Sequence, residues 1–224
     1  MLFRSVRYEN EWPIARTEYT RLYLTEQQSL SLERPQTQME LAYPAKKGRL
    51  EFHHTFTEDT ELSGYMKLRL WVESRSENAS QETPDEMALF VAVNKLDRSG
   101  KPVHFYGSVG STKDMVTRGW CRVSLRELDP VESTEWNPVQ EGAREQKLKA
   151  GEIVPVDVAL YPSSTFFEAG ETVQLIVAPR EIIPSPPYIK DASFNRGTHV
   201  LHFGGEYDSY LLVPRIPSAR EANT

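Results

Sequence analysis

The stretch that decides the fold is YMKLRLWVES, residues 65–74, in which apolar and polar side chains alternate with a period of two. The apolar members share one face of an extended chain: Met66, Leu68, Leu70 and Val72. The charged members share the other face: Lys67, Arg69 and Glu73. Because successive side chains of a strand point to opposite faces, this alternation indicates a half-buried β-strand. The sequence therefore predicts a sheet with one face against a core.

The same period recurs along the chain, whereas the 3.6-residue period of helices is nearly absent. Further runs of this kind are TRLYL (20–24), LEFHHTF (50–56), WCRVSLREL (120–128), IVPVDVALYP (153–162), ETVQLIVAP (171–179), THVLHF (198–203) and SYLLVP (209–214). The run ALFVAV (88–93) is apolar on both faces, which is typical of a central strand. In WCRVSLREL we expect Cys121, Val123 and Leu125 to share the buried face. We expect about nine or ten strands in all.

The connections predict loops rather than helices. Residues 74–86 are polar, residues 129–151 allow one short helical turn at most, and residues 179–197 contain four prolines. No repeat or linker divides the chain, so we expect one domain over residues 1–224. Within it, residues 1–20 form a lead-in and residues 218–224 a C-terminal tail. Many antiparallel strands without interposed helices predict an all-β fold, a jelly-roll two-sheet sandwich.

Composition and charge exclude several classes of function. A net charge of −6 argues against a nucleic-acid partner and against an anionic membrane surface, because both select basic patches. Cys121 is the only cysteine, so no disulfide can form within the chain. The N-terminal MLFRSVRYENEWP has no long apolar run, and it predicts neither a signal peptide nor a membrane span. We therefore expect a cytoplasmic location.

The search for catalytic motifs is negative. The nucleophile elbow of α/β-hydrolases requires G-x-S-x-G, and Gly107-Ser108-Val109-Gly110 has the wrong spacing. Neither a phosphate loop nor G-x-G-x-x-G occurs. Cys121 alternates with apolar residues, which favours a buried thiol over a nucleophile. The sequence thus predicts no catalytic residue and no cofactor site.

Two groups of histidines suggest a metal site and then argue against it. His199, His202, Glu206 and Asp208 are all ligand types. However, residues three apart on a strand point to opposite faces, so His199 and His202 cannot chelate one ion without a bulge. The adjacent His53 and His54 fail for the same reason. We expect neutral core or cross-strand histidines and no metal site.

The C-terminal HFGGEYDSYLLVPRIP (202–217) is interpreted as the last hairpin of the scaffold. Gly204-Gly205 allows the positive φ of a tight turn between two strands. Pro214 and Pro217 are expected to end pairing at a sheet edge, where a missing amide is tolerated. We expect Asp208 and Ser209 to cap the turn through side-chain to backbone bonds.

Four aromatic residues fall in loop-like stretches: Trp12, Trp136, Tyr188 and Phe194. Such residues serve either as sugar-stacking platforms on a jelly-roll rim or as anchors of a domain–domain or loop–core contact. We favour the contact, because apolar anchors on loops more often dock a partner than remain displayed.

Six stretches, in order, resemble the C-terminal non-catalytic domain of the X-prolyl dipeptidyl aminopeptidase and cocaine esterase family of serine hydrolases. They cover residues 9–24, 62–74, 85–97, 118–130, 151–178 and 197–217, and they include RGWCRVSLRELDP and the ending GGEYDSYL. The resemblance implies a galactose-binding-like jelly roll that follows an α/β-hydrolase domain. That upstream domain supplies the catalytic serine, aspartate and histidine, none of which has a counterpart here. The jelly roll packs on it and helps to shape the substrate entrance.

Three readings follow, in order of preference. The first is the accessory domain of a hydrolase that acts on peptides, esters or amides, with the α/β-hydrolase domain as partner. The second is a freestanding jelly-roll module that binds carbohydrate or protein, and the third is an independent enzyme with an unrecognised site. Under the first, the isolated domain should expose an apolar patch of ~600 Å² or more and self-associate at high concentration.

Overall fold

Two β-sheets and a single 3-10 turn make up the regular structure of the computed structural model, which describes residues 8–78, 80–106, 113–182 and 194–217. The strands are β1 (Glu18–Leu24), β2 (Leu30–Ser31), β3 (Met39–Pro44), β4 (Leu50–Thr55), β5 (Thr60–Arg75), β6 (Ala88–Leu96), β7 (Pro102–Val103), β8 (Thr117–Arg122), β9 (Val154–Phe167), β10 (Thr172–Ala178), β11 (Thr198–Phe203) and β12 (Tyr210–Ile216). No helix within these ranges could span a membrane. The predicted all-β sandwich is confirmed.

Sheet A is built around β5, a strand of 16 residues. Along one side β5 pairs with β9 from Thr60 to Val72. Along its other side it pairs with β12 over its first part and with β11 over its last part. Beyond these, β1 pairs with β12 and β3 pairs with β11. The short strand β2 pairs antiparallel with the end of β1. Sheet A therefore places β1 and β12, the first and last described strands, side by side, and β12 lies next to β5, the strand whose alternation is the strongest in the sequence.

Sheet B has the order β4-β10-β6, and β6 pairs further with both β8 and β7. Its edge strand β8 lies against β9 of sheet A. Gly119 permits this approach, because a Cβ at that position would lie 2.1 Å from the carbonyl oxygen of Ala159. The Thr117 hydroxyl donates to the carbonyl of Tyr161 at 2.5 Å, and this hydrogen bond links β8 to β9. We call this junction of β8 and β9 the seam.

The core lies between the sheets and is formed by the inward faces that alternation predicted. Its members on β5, β6, β9 and β10 are fully or almost fully buried: Met66, Leu68, Leu70, Val72, Leu89, Val91, Val93, Val154, Val156, Val158, Leu160, Val173, Leu175 and Val177. Each such side chain contributes about 1.5–3 kcal/mol through burial. The central position of β6 is also confirmed, since it has neighbours on both sides.

Strand β8 is shorter than the sequence predicts. It ends at Arg122, and Val123–Leu125 form a 3-10 turn, so the expected alternation through Leu125 is wrong. The cause is the buried carboxylate of Glu86, which accepts hydrogen bonds from the amide and hydroxyl of Ser124 and from the Arg122 guanidinium. These bonds turn Ser124 inward, where a continued strand would have exposed it.

The interpretation of residues 202–217 as a hairpin is wrong. Strands β11 and β12 do not pair with each other, because both lie on the same side of β5, one after the other. His202 is opposite Trp71, and Tyr210 is opposite Arg69. The intervening residues form a tight turn closed by the amide of Tyr207 on the carbonyl of Gly204 at 2.9 Å. They separate β11 from β12, which pair one after the other with the same side of β5.

The expectation that Pro214 marks a sheet edge is also wrong. Pro214 belongs to β12, which pairs with β1 on one side and β5 on the other. The missing amide is tolerated because the register with β5 shifts between Leu212 and Arg215, which forms a bulge. Gly64 faces this bulge, and a Cβ there would lie 2.8 Å from the Pro214 ring. Pro217 follows the end of the strand, as expected.

Smaller differences concern the ends of elements. Strand β3 was not predicted, and the two-residue strands β2 and β7 bring the described strands to twelve. Strand β1 begins at Glu18, inside the expected lead-in of residues 1–20. No helix forms between residues 129 and 151. The predicted tail 218–224 and most of the proline-rich loop, residues 183–193, fall outside the described residues, as does the motif at Gly107–Gly110.

Candidate docking surface and polar clusters

His199 and His202 lie on opposite faces of β11, as the sequence predicts. His199 is fully buried towards the core, where its Nδ1 is 3.1 Å from the Tyr43 hydroxyl. Burial lowers the pKa of His199 to about 4, so the ring is neutral near pH 7. His202 faces outward from the core, and its Nε2 donates to Glu73 at 2.9 Å. The two rings therefore cannot share one ion.

His202 instead belongs to a polar cluster contributed by three strands. Glu40 of β3, Glu73 of β5 and His202 of β11 place ligand-type atoms within 4.8 Å of one another. Arg75 donates to both oxygens of Glu40 at 2.6 and 2.7 Å, and to both oxygens of Glu73 at 2.8 and 2.7 Å. The cluster thus contains its own cation.

The pKa values of both carboxyls reflect this arrangement. The hydrogen bonds from Arg75 lower the pKa of Glu40. Burial alone would raise the pKa of Glu73, but bonds from Arg75 and His202 outweigh it and lower that pKa. Because Arg75 engages every carboxylate oxygen, the geometry supports an ion network that ties β3, β5 and β11 together. The absence of a metal site stays a prediction.

The acids that the sequence grouped with these histidines lie elsewhere. Asp208 accepts a hydrogen bond from the indole of Trp71 at 2.8 Å and lies 3.6 Å from the Arg69 guanidinium. Glu206 is exposed in the turn after β11. The sequence missed Glu40 and Glu73 as partners of His202, because both come from strands far away along the chain.

The adjacent histidines His53 and His54 are fixed by neighbouring strands. His54 Nδ1 is 2.9 Å from the carbonyl oxygen of Leu30, and His53 Nε2 is 3.1 Å from the side-chain nitrogen of Gln174. These contacts are those of cross-strand histidines, as expected.

Cys121 is buried, as the sequence predicts. Its thiol donates to the carbonyl of Arg122, and the Gln140 amide lies 3.7 Å from the sulfur. Burial, together with the nearby carboxylates of Glu86 and Asp157, raises the pKa of the thiol to about 12. A thiol that stays protonated at neutral pH is a poor nucleophile.

The loop aromatics have three different environments. Trp136 stacks on Tyr19 with ring centroids 5.0 Å apart and an angle of 7° between the rings. Phe194 lies under the Arg122 guanidinium at 5.6 Å. Trp12 is half exposed beside Tyr65, at a centroid distance of 6.1 Å. Tyr188 lies outside the described residues.

Trp12 borders a larger aromatic surface at the seam, which we call the seam groove. Its walls are Tyr65 of β5, Trp120 of β8 and Tyr161 of β9, and Arg118 and Asn137 contribute polar groups. The groove has a volume of about 310 Å³, and the rings of Trp120 and Tyr161 meet edge to face at 5.8 Å. Trp120 and Tyr161 remain 52% and 55% exposed.

The seam groove is not predicted by any pattern along the sequence. Trp120 and Tyr161 fall on the solvent side of their alternating strands, and neither lies in a loop, where docking aromatics are expected. Their juxtaposition arises because β8 and β9 are edges of different sheets that meet at Gly119. No local pattern reports such a contact. Among the aromatic residues around this groove, only Trp12 is singled out by the sequence, because it lies in a loop.

A second groove, of about 430 Å³, has a different character. It is lined by residues 76–77 and 81–85 together with Lys46, Arg196 and Gly197, and most of its side chains are charged or polar. Lys46 lies 3.8 Å from Glu77 within it. Charges of both signs partly neutralise each other there, and none of the described residues that line this groove is aromatic.

Comparison with solved structures identifies relatives of this architecture. Two crystal structures of a CocE/NonD family hydrolase from Staphylococcus aureus are 35% identical to this chain, with TM-scores of 0.87 and 0.86. The match covers 94% of this chain but only 38% and 39% of theirs. No curated protein matches the sequence.

Two further structures share the fold at low identity. An aminopeptidase from the marine sediment archaeon Thaumarchaeota archaeon has a TM-score of 0.64 at 14% identity, covering 93% of this chain and 38% of its own. An alpha-amino acid ester hydrolase has a TM-score of 0.60 at 14% identity, covering 88% and 36%. In each case the chain matches little more than a third of the larger protein.

The sequence comparison agrees with the structures. Residues 3–212 match the family described as the X-Pro dipeptidyl-peptidase C-terminal non-catalytic domain. This range contains almost every strand of both sheets, the seam groove and the cluster around His202. The chain therefore belongs to the family of X-Pro dipeptidyl-peptidase C-terminal non-catalytic domains.

Proposed function

We propose that this chain acts as the accessory domain of a serine hydrolase, packs on an α/β-hydrolase domain and helps to shape access to its active site. The observation that carries the proposal is the family match over residues 3–212, together with 35% identity to a hydrolase of which this chain covers 38%. The larger part of that relative lies outside the match. We assign the catalytic serine, aspartate and histidine to such a part.

The side chains of this domain support that division of labour. The thiol of Cys121 is buried with a raised pKa. The hydroxyl of Ser209 is engaged by two backbone groups, and His202 is engaged by Glu73. A nucleophile requires an adjacent base that can take its proton, and these groups are committed to holding strands together. The chemistry on peptide, ester or amide substrates therefore belongs to the partner domain.

The half-exposed rings of Trp120 and Tyr161 favour one second candidate, a freestanding carbohydrate- or protein-binding module. Aromatic faces beside an amide and a guanidinium are also the groups that stack and hydrogen-bond a sugar ring. A glycan-binding screen of the isolated chain distinguishes the two functions. Saturable binding of one glycan at micromolar concentration, lost in Trp120→Ala, would favour the module.

A chimera tests the accessory function directly. In it, this chain replaces the matched portion of the Staphylococcus aureus CocE/NonD family hydrolase. We expect the chimera to hydrolyse an activated ester, whereas the same hydrolase without that portion, and this chain alone, do not. An inactive but folded chimera would count against the proposal. Reading the gene upstream of Met1 for an in-frame G-x-S-x-G is a second test, and the cytoplasmic location stays a prediction.

A further inference from the structure

We propose that the seam groove is the surface on which the hydrolase domain docks, and that Trp120 and Tyr161 are its principal anchors. The inference rests on the proposed function and specifies the residues through which the two domains meet. The polar cluster around Arg75 and the charged groove near Lys46 are assigned no part in docking.

Exposed aromatic surface is concentrated at the groove. Trp120 and Tyr161 are two of its walls, and Trp12 lies beside the third, Tyr65. Trp12, Trp120 and Tyr161 are each at least half exposed. The other exposed large apolar side chains of the described residues occur outside this group: Tyr8, Leu32, Tyr106, Val131, Phe166 and Phe194. Tryptophan and tyrosine in a concave site are the residues that dominate binding energy at interfaces. Exposed singly, such residues need no partner, whereas a contiguous group does.

The path of the chain also favours the hydrolase domain as the occupant of the groove. The family is a C-terminal domain, so the hydrolase domain of its members precedes it and is joined through the N-terminal side. Residues 8–17 form that side here, and the burial of Ile14 holds them on the domain, while the Arg16 guanidinium donates to Glu9 within the segment at 2.7 Å. Trp12 of this segment packs beside Tyr65 of the groove. A domain joined at this end therefore starts next to the groove.

The chemistry of the groove specifies the partner's surface. Its apolar walls are rings. Among its polar groups the Arg118 guanidinium only donates, whereas the Asn137 amide both donates and accepts. Arg118 lies 3.7 Å from Asp114, too far for a strong bond, so it can still donate elsewhere. The matching surface is an apolar segment that presents backbone carbonyls or a carboxylate. We expect such a segment on the hydrolase domain.

The test compares two variants in the chimera described above. Trp120→Ala combined with Tyr161→Ala removes the anchors. Phe166→Ala is the matched control, because Phe166 is also on β9 and 51% exposed but lies outside the groove. We expect the double variant to lose at least about tenfold in kcat/KM and to be cleaved faster at the domain junction by protease, as for the loss of interface anchors. The control should match the unmodified chimera.

The isolated chain serves as the folding reference. Because both anchor rings face solvent, the double variant should keep the parent's Tm when it is tested alone. Equal activity of the double variant and Phe166→Ala in an active chimera would overturn the docking inference and leave the accessory function standing. An inactive unmodified chimera contradicts the accessory function, and the inference falls with it. A dimer of the isolated chain that the double variant dissolves, without any effect in the chimera, would identify a second copy as the occupant instead.

Discussion

The hydroxyl of Ser209 accepts a hydrogen bond from the backbone amide of Trp71 at 3.0 Å and donates one to the carbonyl of His202 at 2.6 Å. Ser209 lies between β11 and β12, at the point along β5 where pairing with β11 ends and pairing with β12 begins. Its side chain thus replaces a backbone partner at the break. This explains how β11 and β12 stay paired with β5 on either side of a six-residue turn.

Replacing this hydroxyl should be costly. Ser209 is almost fully buried, so Ser209→Ala leaves the Trp71 amide without its acceptor in a place that water does not reach. We expect a loss of about 1–3 kcal/mol in the free energy of unfolding. Urea denaturation measures it. Ser99→Ala is the control, since Ser99 bonds Asp97 in an exposed turn and should change stability by less than about 0.5 kcal/mol. Equal effects of the two substitutions would contradict the role given to Ser209.

The turn before Ser209 shows why part of the fold could not be predicted. Alternation identified nine strands and their buried faces, because side-chain direction is a local property of the backbone. Two apolar runs around Gly204-Gly205 read locally as a hairpin, yet the strands lie end to end along β5. The local sequence indicates two strands separated by a short turn. It does not indicate that both pair with β5 instead of with each other.

Long-range contacts limited the prediction of the sites in the same way. Pro214 suggested an edge strand, but Gly64, far away in the sequence, makes room for its ring inside the sheet. The partners of His202 come from β3 and β5, and Trp120 meets Tyr161 only because two sheet edges converge. Each of these contacts joins residues that are far apart in the sequence, and the alternation of apolar and polar residues carries no information about such pairs.

The convergence of those edges gives a second prediction. Gly119→Ala places a methyl group 2.1 Å from the carbonyl oxygen of Ala159, so β8 must move away from β9. We expect a loss at or above the upper end of the ~1–3 kcal/mol typical of overpacking. The control is Gly100→Ala, where φ is +79° but no atom lies within 4 Å. It should cost only about 1–2 kcal/mol for the backbone conformation. Thermal denaturation of both variants decides, and a smaller loss for Gly119→Ala would show that the seam is loosely packed.

The buried His199 predicts a specific acid sensitivity. Burial lowers its folded-state pKa from 6.5 to about 4, so the unfolded chain binds a proton more readily than the folded chain does. The stability that neutral His199 contributes is therefore fully present above pH 6.5 and is lost as the pH falls towards 4. The free energy of unfolding should fall by on the order of 3 kcal/mol between pH 6.5 and pH 4 because of this one group.

His199→Gln tests this linkage, because glutamine does not titrate. We expect the variant to be less stable at pH 7 but to lose less further stability between pH 6.5 and 4 than the parent. His104→Gln, at an exposed position, should keep the parent's dependence on pH. Unfolding free energies measured at several pH values provide the comparison. Parallel curves for the parent and His199→Gln would rule out His199 as the source of the acid sensitivity.

Cys121 should be inert in the folded domain. Its thiol is buried, and its pKa is raised to about 12, so the reactive thiolate is scarce at pH 8. We expect reaction with a disulfide reagent such as DTNB to be slow in buffer and complete within seconds in denaturant. The unfolded protein is the internal control for reagent and stoichiometry. Rapid labelling under native conditions would show that the thiol is accessible and would reopen its role as a nucleophile.

Strand β12 should be indispensable, more so than a terminal strand at a sheet edge would be. It lies between β1 and β5 and buries Leu211 and Val213 in the core. Each buried side chain of this kind contributes ~1.5–3 kcal/mol, against a typical total of ~5–15 kcal/mol for a domain. Truncation after Asp208 should therefore abolish cooperative unfolding, measured by circular dichroism in urea. Truncation after Pro217 removes only the predicted tail and should keep the parent's midpoint. A chain ending at Asp208 that unfolds at the parent's midpoint would contradict the placement of β12 inside the sheet.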